Sequence, residues 1–245
     1  PVQDYGKSLF TTDYTDAYKF FLDMGPLNNS NGPLYFNNQG KIWNEYLAHD
    51  TYDDYWQKRN VRPHLKNIKP AVLVVGGWFD AEDMFGALRT YESIEKQNPQ
   101  NSSSLVMGPW THGAWSRMEW TKFGTHDFVQ NTSGFYRDEI ETKFFNYYLK
   151  NKGGLDLPEA YIFETGSNEW KKYDTWPPPN STPLPFYLKE NKKLSRSQAR
   201  SNGFDEYVSD PANPVPYVDG TYRRGSNAYM LDRQRLASQR PNVWT

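Results

Sequence analysis

The chain has 245 residues, a formal net charge of −1 and no cysteine. That length holds one large domain or two modest ones with a substantial core, the scattered basic residues give no support for a nucleic-acid surface, and disulfides, thiolate metal sites and Cys nucleophiles are excluded. Aromatic residues make up 17% of the chain, with nine Trp, which suits either an aromatic ligand cleft or an aromatic-rich β core, and no apolar run approaches the ~18 residues of a membrane span.

The chain begins PVQDYGKSLF, without Met or a basic-then-apolar leader, and stops at RPNVWT after a polar stretch. It therefore reads as an interior segment of a longer protein, and a missing leader says nothing about secretion. Residues 1–62 read as part of a helical cap. In TDYTDAYKFFLDMG the side chains of Ala17, Phe20, Phe21 and Met24 recur at helical spacing, and Gly25-Pro26 ends the run. KIWNEYLAHD and TYDDYWQKRN predict two more short helices.

From residue 63 the pattern changes. AVLVVGG after Pro70 is a continuous apolar run of the kind buried in a parallel sheet. A helix is expected from about Glu82 to Gln97, with Met84, Leu88, Tyr91 and Ile94 on one side, and SLVMGPW reads as a second buried strand. A long helix is expected over about Gly134–Lys150. This β-α-β order marks an open α/β sheet, and residues 63–152 are assigned to it. KNKGGLDLP reads as a linker. Residues 153–245, with EAYIFETGSNEW, KKYDTWPPPNSTP, PFYLKENKKLS and FDEYVSDPANPVPY, read as short strands opening a β-sandwich.

In open α/β sheets, ligands bind beyond the carboxyl ends of the strands. Asp80 lies just past the first strand and His112 just past the second. Adjacent parallel strands are ~4.8 Å apart, so the two loops can bring these side chains together. An Asp holding a His forms two thirds of a Ser-His-Asp triad, and acid before His is the α/β-hydrolase order. The bland alternative is two unrelated surface residues. His49, His64 and His126 compete, but none directly follows a buried-strand pattern. A G-x-S-x-G nucleophile elbow is absent; GKSLF at Gly6 lacks the last glycine and a preceding strand. In an interior segment that is expected, because the elbow precedes the acid.

VGGWFDAEDMFGA, LVMGPWTHGAW and FETGSNEWKKYDTWPPP resemble the serine hydrolases related to α-amino acid ester hydrolases, a family that includes cocaine esterase, X-prolyl dipeptidyl peptidases and glutaryl-7-aminocephalosporanic acid acylases. The resemblance covers nearly the whole chain. It implies an α/β fold: the C-terminal part of an α/β-hydrolase core with a helical cap, then the start of a jelly-roll domain. The acid after G-W-x-D would be Asp80 and the base in G-P-W-x-H would be His112. In the amino-ester branch, D-x-E-D supplies two members of a carboxylate cluster for the substrate's α-ammonium, which match Glu82 and Asp83. Clustered carboxylates repel one another, and a bound cation relieves that repulsion. Otherwise the two acids simply suit the positive end of a helix. Trp78, Trp110 and Trp115 flank these loops and either wall an acyl pocket or pack the cap against the core.

The resemblance further implies a small-molecule amino ester or amide substrate, no metal or organic cofactor, a homo-oligomer in full-length form and a periplasmic or secreted setting. The rivals are an acylase or peptidase of the same family, and a non-catalytic jelly-roll binding protein, which would leave Asp80 and His112 without a purpose.

Overall fold

The computed structural model describes residues 14–190, 193–198, 202–204, 206–221 and 229–240. The chain divides into two compact units, one of residues 61–188 and 195–198, the other of residues 1–60, 189–194 and 199–245.

The first 60 residues carry helices α1 (Ala17–Met24), α2 (Lys41–Ala48) and α3 (Asp54–Gln57). Asp16 caps α1, accepting hydrogen bonds from Tyr18 N and Lys19 N at 3.0 and 3.4 Å, and so satisfies backbone donors that the helix itself cannot. Gly25 ends α1 at φ 74°, a left-handed geometry that glycine adopts without strain. The apolar stripe expected on α1 is only half used: Ala17 and Met24 are buried, whereas Phe21 is exposed. Helix α7 (Tyr229–Ser238) belongs to the same unit.

The larger unit is built on a four-stranded sheet whose strands lie in the order β1 (Val72–Gly77), β2 (Ser103–Gly108), β5 (Ala160–Glu164) and β6 (Glu169–Tyr173). Strand β1 (Val72–Gly77) and β2 (Ser103–Gly108) run parallel, in register from Val72↔Ser103 to Gly77↔Gly108. Helix α4 (Met84–Gln97) connects them and lays Tyr91 and Ile94 on Val74, Leu105 and Met107. Leu105, Val106 and Met107 have no exposed surface; full burial of such side chains stabilises by ~1.5–3 kcal/mol each. Asn98, just past α4, accepts from Ile68 N and donates to Leu65 O at 2.9 and 2.8 Å. It thereby ties the segment leading into β1 to the end of the helix.

The expected helix over 134–150 is an unbroken helical run: α5 (Thr132–Phe135), a π-helical turn Tyr136–Glu141 and α6 (Thr142–Lys150). The domain limit at residue 152 needs correction. Strand β5 (Ala160–Glu164) pairs parallel with β2 through Leu105↔Ala160, and antiparallel with β6 (Glu169–Tyr173). Ala160, Ile162 and Phe163 are buried in the same sheet, so EAYIFETGSNEW completes the α/β layer instead of opening a second domain. Beyond Tyr173, the described strands are β7 (Tyr187–Lys189) and β8 (Lys193–Ser195). The described part of FDEYVSDPANPVPY forms no strand. Pro211, Pro214 and Pro216 each remove a donor that a ladder needs.

Candidate active site

The ladder between β1 and β2 does not stop at the strand ends. Trp78 N donates to Gly108 O at 2.9 Å and Phe79 N to Trp110 O at 3.0 Å. The two loops thus leave the sheet laced together, one ending in Asp80 and the other in His112. The lacing requires glycine at two points. A Cβ on Gly77 would overlap the Trp110 carbonyl, and one on Gly108 would overlap the Trp110 ring.

Asp80 is buried, its side chain 1% exposed. Its Oδ1 accepts two backbone N–H groups, from Glu82 at 2.8 Å and Asp83 at 3.0 Å. Its Oδ2 lies 3.2 Å from His112 Nδ1. The carboxylate is therefore fixed at one oxygen by the turn leading into α4 and offers the other to the imidazole. His112 is 44% exposed, which leaves Nε2 on the open side of the pair. The Asp80 hydrogen bond holds the His112 pKa above the ordinary histidine value, burial opposes it, and the charges of Asp80, Glu82 and Asp83 add to the rise. Gly113, at φ 70°, turns the chain directly after the histidine into Ala114–Ser116.

The three acids of WFDAED thus occupy different environments. Asp80 is inside, while Glu82 and Asp83 are exposed at the start of α4, where the helix's positive end offsets part of their charge. Asp83 Oδ2 is 3.5 Å from His112 Nδ1, an approach the sequence did not foretell. Asp80, Asp83 and His112 each bring one donor atom within 4.8 Å of the others, a spacing that could hold a metal ion. The donor set favours a proton relay, because Asp80 Oδ1 is already committed to two N–H groups and His112 Nδ1 to Asp80 Oδ2.

The tryptophans divide too. Trp110 is fully buried and does not wall an open pocket. Its Nε1 donates to Thr132 Oγ1 at 3.1 Å, Thr132 Oγ1 donates to Trp120 O at 2.9 Å, and Trp120 Nε1 donates to Pro109 O at 2.7 Å. This closed circuit anchors the histidine loop and escaped the sequence reading, since no motif surrounds Thr132. Trp78 is pinned by a 2.8 Å bond to Phe163 O. Trp115 meets His112 edge-on, with ring centres 6.5 Å apart. Of the competing histidines, His126 lies on β4 (His126–Asp127) and stacks on Phe79, and His64 ends a short 3₁₀ turn. His49 pairs with Asp53 at 2.6 Å.

Asp80 and His112 thus meet on consecutive loops beyond the carboxyl ends of parallel strands, where open α/β sheets bind their ligands. Residues 28–114 match the family profile described as X-Pro dipeptidyl-peptidase (S15 family). Cocaine esterase of Rhodococcus sp. is 28% identical over 203 residues, 76% of this chain and 34% of that enzyme. The crystal structure of an aminopeptidase from a marine sediment Thaumarchaeota archaeon superposes with TM-score 0.84 and 31% identity, over 96% of this chain and 40% of that one. An α-amino acid ester hydrolase superposes with TM-score 0.84 and 28% identity, over 95% and 40%. These matches support placing the chain with the S15-type peptidases and esterases, and it spans between a third and two fifths of the length of these relatives.

Proposed function

We propose that the chain supplies the acid and base of a serine hydrolase cleaving esters or amides of α-amino acids, a substrate class extending to β-lactam antibiotics. The nucleophilic Ser would come from a preceding segment of the protein, so the chain by itself is expected to be inactive. With Nδ1–H donated to Asp80, His112 Nε2 is the acceptor for the Ser proton. Ser Oγ then attacks the carbonyl carbon, and His112 returns the proton to the departing alcohol or amine. Water, activated by the same Nε2, releases the acid from the acyl-enzyme. Glu82 and Asp83 would hold the substrate's α-ammonium, since an unpaired charge in a closed site costs several kcal/mol.

The observation that carries this reading is the division of WFDAED: one buried acid clamped to the histidine, with two exposed carboxylates directly beside it. The test compares phenylglycine methyl ester with its desamino analogue in the full-length protein. Glu82→Gln and Asp83→Asn should each lower kcat/KM for the free amino ester by ~2 kcal/mol, roughly 30-fold, and leave the desamino ester nearly untouched. A second reading rests on the 3.5 Å approach of Asp83 to His112: Asp83 supports the base instead of the substrate. Equal losses on both esters would select it and reduce the assignment to a general esterase.

A further inference from the structure

The unit containing α1–α3 holds a cleft of about 790 Å³ that the proposed chemistry does not use. Trp43, Tyr46, His49, Asp50, Tyr52 and Trp56 give it its character. Both indole N–H groups are spent within the protein: Trp43 Nε1 donates to Ser30 Oγ and Trp56 Nε1 to His49 O, each at 2.7 Å. These two rings therefore have only their π faces to offer a ligand. Tyr46 leans on Trp56 with centroids 5.2 Å apart, and Tyr52 is 60% exposed.

The polar members are as well defined. His49 Nδ1 lies 2.6 Å from Asp53 Oδ2, and the ring stacks on Tyr55 at 4.4 Å. Asp53 is itself fixed as the cap of α3, accepting from Tyr55 N at 2.9 Å. With Nδ1 committed, His49 presents Nε2 as its remaining acceptor. Asp50 is exposed and enters no ion pair among the described residues. Among the described residues no Lys or Arg lines the cleft.

Electron-rich ring faces with a carboxylate, and no competing cation, attract positive charge and repel anions. The geometry points to a binding site for an organic ammonium ion with an apolar body, its charge held by Asp50 and the aromatic faces and its N–H directed at His49 Nε2. The site shares no residue with the Glu82–Asp83 pair and does not depend on the assignment made for it.

Calorimetric titration of the protein with phenethylammonium chloride, and with 2-phenylethanol as the neutral counterpart, tests this. The ammonium should bind at least tenfold more tightly than the alcohol. In the Glu82→Gln/Asp83→Asn background, which removes the other carboxylates assigned to an ammonium, Asp50→Asn, a change at an exposed position, should bring its affinity close to that of the alcohol. The Glu82→Gln/Asp83→Asn double variant should retain the Asp50-dependent binding. Equal affinities for the two ligands, no effect of Asp50→Asn, or loss of all ammonium binding in the double variant would each overturn the proposal. That last result would still leave the amino-ester reading of Glu82 and Asp83 standing, so the two can fail separately.

Discussion

Among the described residues two histidines, His49 and His112, bond to an Asp, and the tighter bond is not that of the candidate catalytic pair. His49 and Asp53 approach to 2.6 Å, His112 and Asp80 only to 3.2 Å. The first pair is local, four residues apart on the way into a short helix, with both side chains more than a third exposed. The second joins residues 32 positions apart across two strands, with the acid almost wholly buried. Distance alone would choose His49 over His112. The pairs differ in what holds the acid. Asp53 caps a helix and spends its second oxygen on His49. Asp80 is gripped by two N–H groups in a closed turn, so its position is set before the histidine arrives.

The largest expected effect is on that grip. In the full-length protein Asp80→Asn presents an amide to His112 and favours the wrong tautomer. The expected loss is up to ~10⁴ in kcat, the size that follows when the triad Asp of a serine protease is replaced by Asn. Circular dichroism should show an intact fold. Near-normal turnover would mean that another acid, with Asp83 the first candidate, serves His112, and the contrast between the pairs would dissolve.

Next comes the lacing between the loops. Gly77→Ala places a methyl group on the Trp110 carbonyl, a backbone atom that cannot swing aside. Overpacking of this sort costs ~1–3 kcal/mol, and denaturant unfolding should show it as a lower midpoint at unchanged slope. The His49 pair depends on no such strand-to-strand contact: its residues are the C-cap of α2 and the N-cap of α3, four positions apart. A Gly77→Ala protein of full stability would show that the loops are not rigidly coupled.

The smallest effect is on the proton. The raised pKa of His112 means that its charged form is favoured in the folded state. The associated stability is therefore fully present below the unfolded value of ~6.5 and is lost as pH rises through the folded value. Asp83→Asn removes one of the charges that sustain the rise. The NMR titration midpoint of His112 should move down, and with it the acid limb of kcat/KM in the full-length enzyme. An unmoved His112 midpoint would remove Asp83 from the histidine's electrostatic surroundings.

Much of this was legible in the sequence for a physical reason. The AVLVVGG and SLVMG runs are apolar on both faces, as buried parallel strands must be, and the stripe of α4 repeats at helical spacing. Asp80 and His112 could be singled out because sheet topology puts ligands at strand ends. What failed was pairing. KNKGGLDLP looked like a domain linker, and nothing within EAYIFETGSNEW says that its neighbour is β2, fifty residues earlier. The Trp110–Thr132–Trp120 circuit was hidden for the same reason, since its bonds join segments with no shared pattern. Asp83's approach to His112 depends on the angle of one turn before α4, finer than any residue spacing can specify.

The grip on Asp80 also bears on how such a site can diverge. Glu82 and Asp83 hold the buried acid through their main-chain N–H groups, while both residues themselves are exposed. Any residue except proline supplies the same N–H. These two side chains could therefore be exchanged without loosening Asp80, so the charge beside the Asp80–His112 pair can change while the pair keeps its geometry.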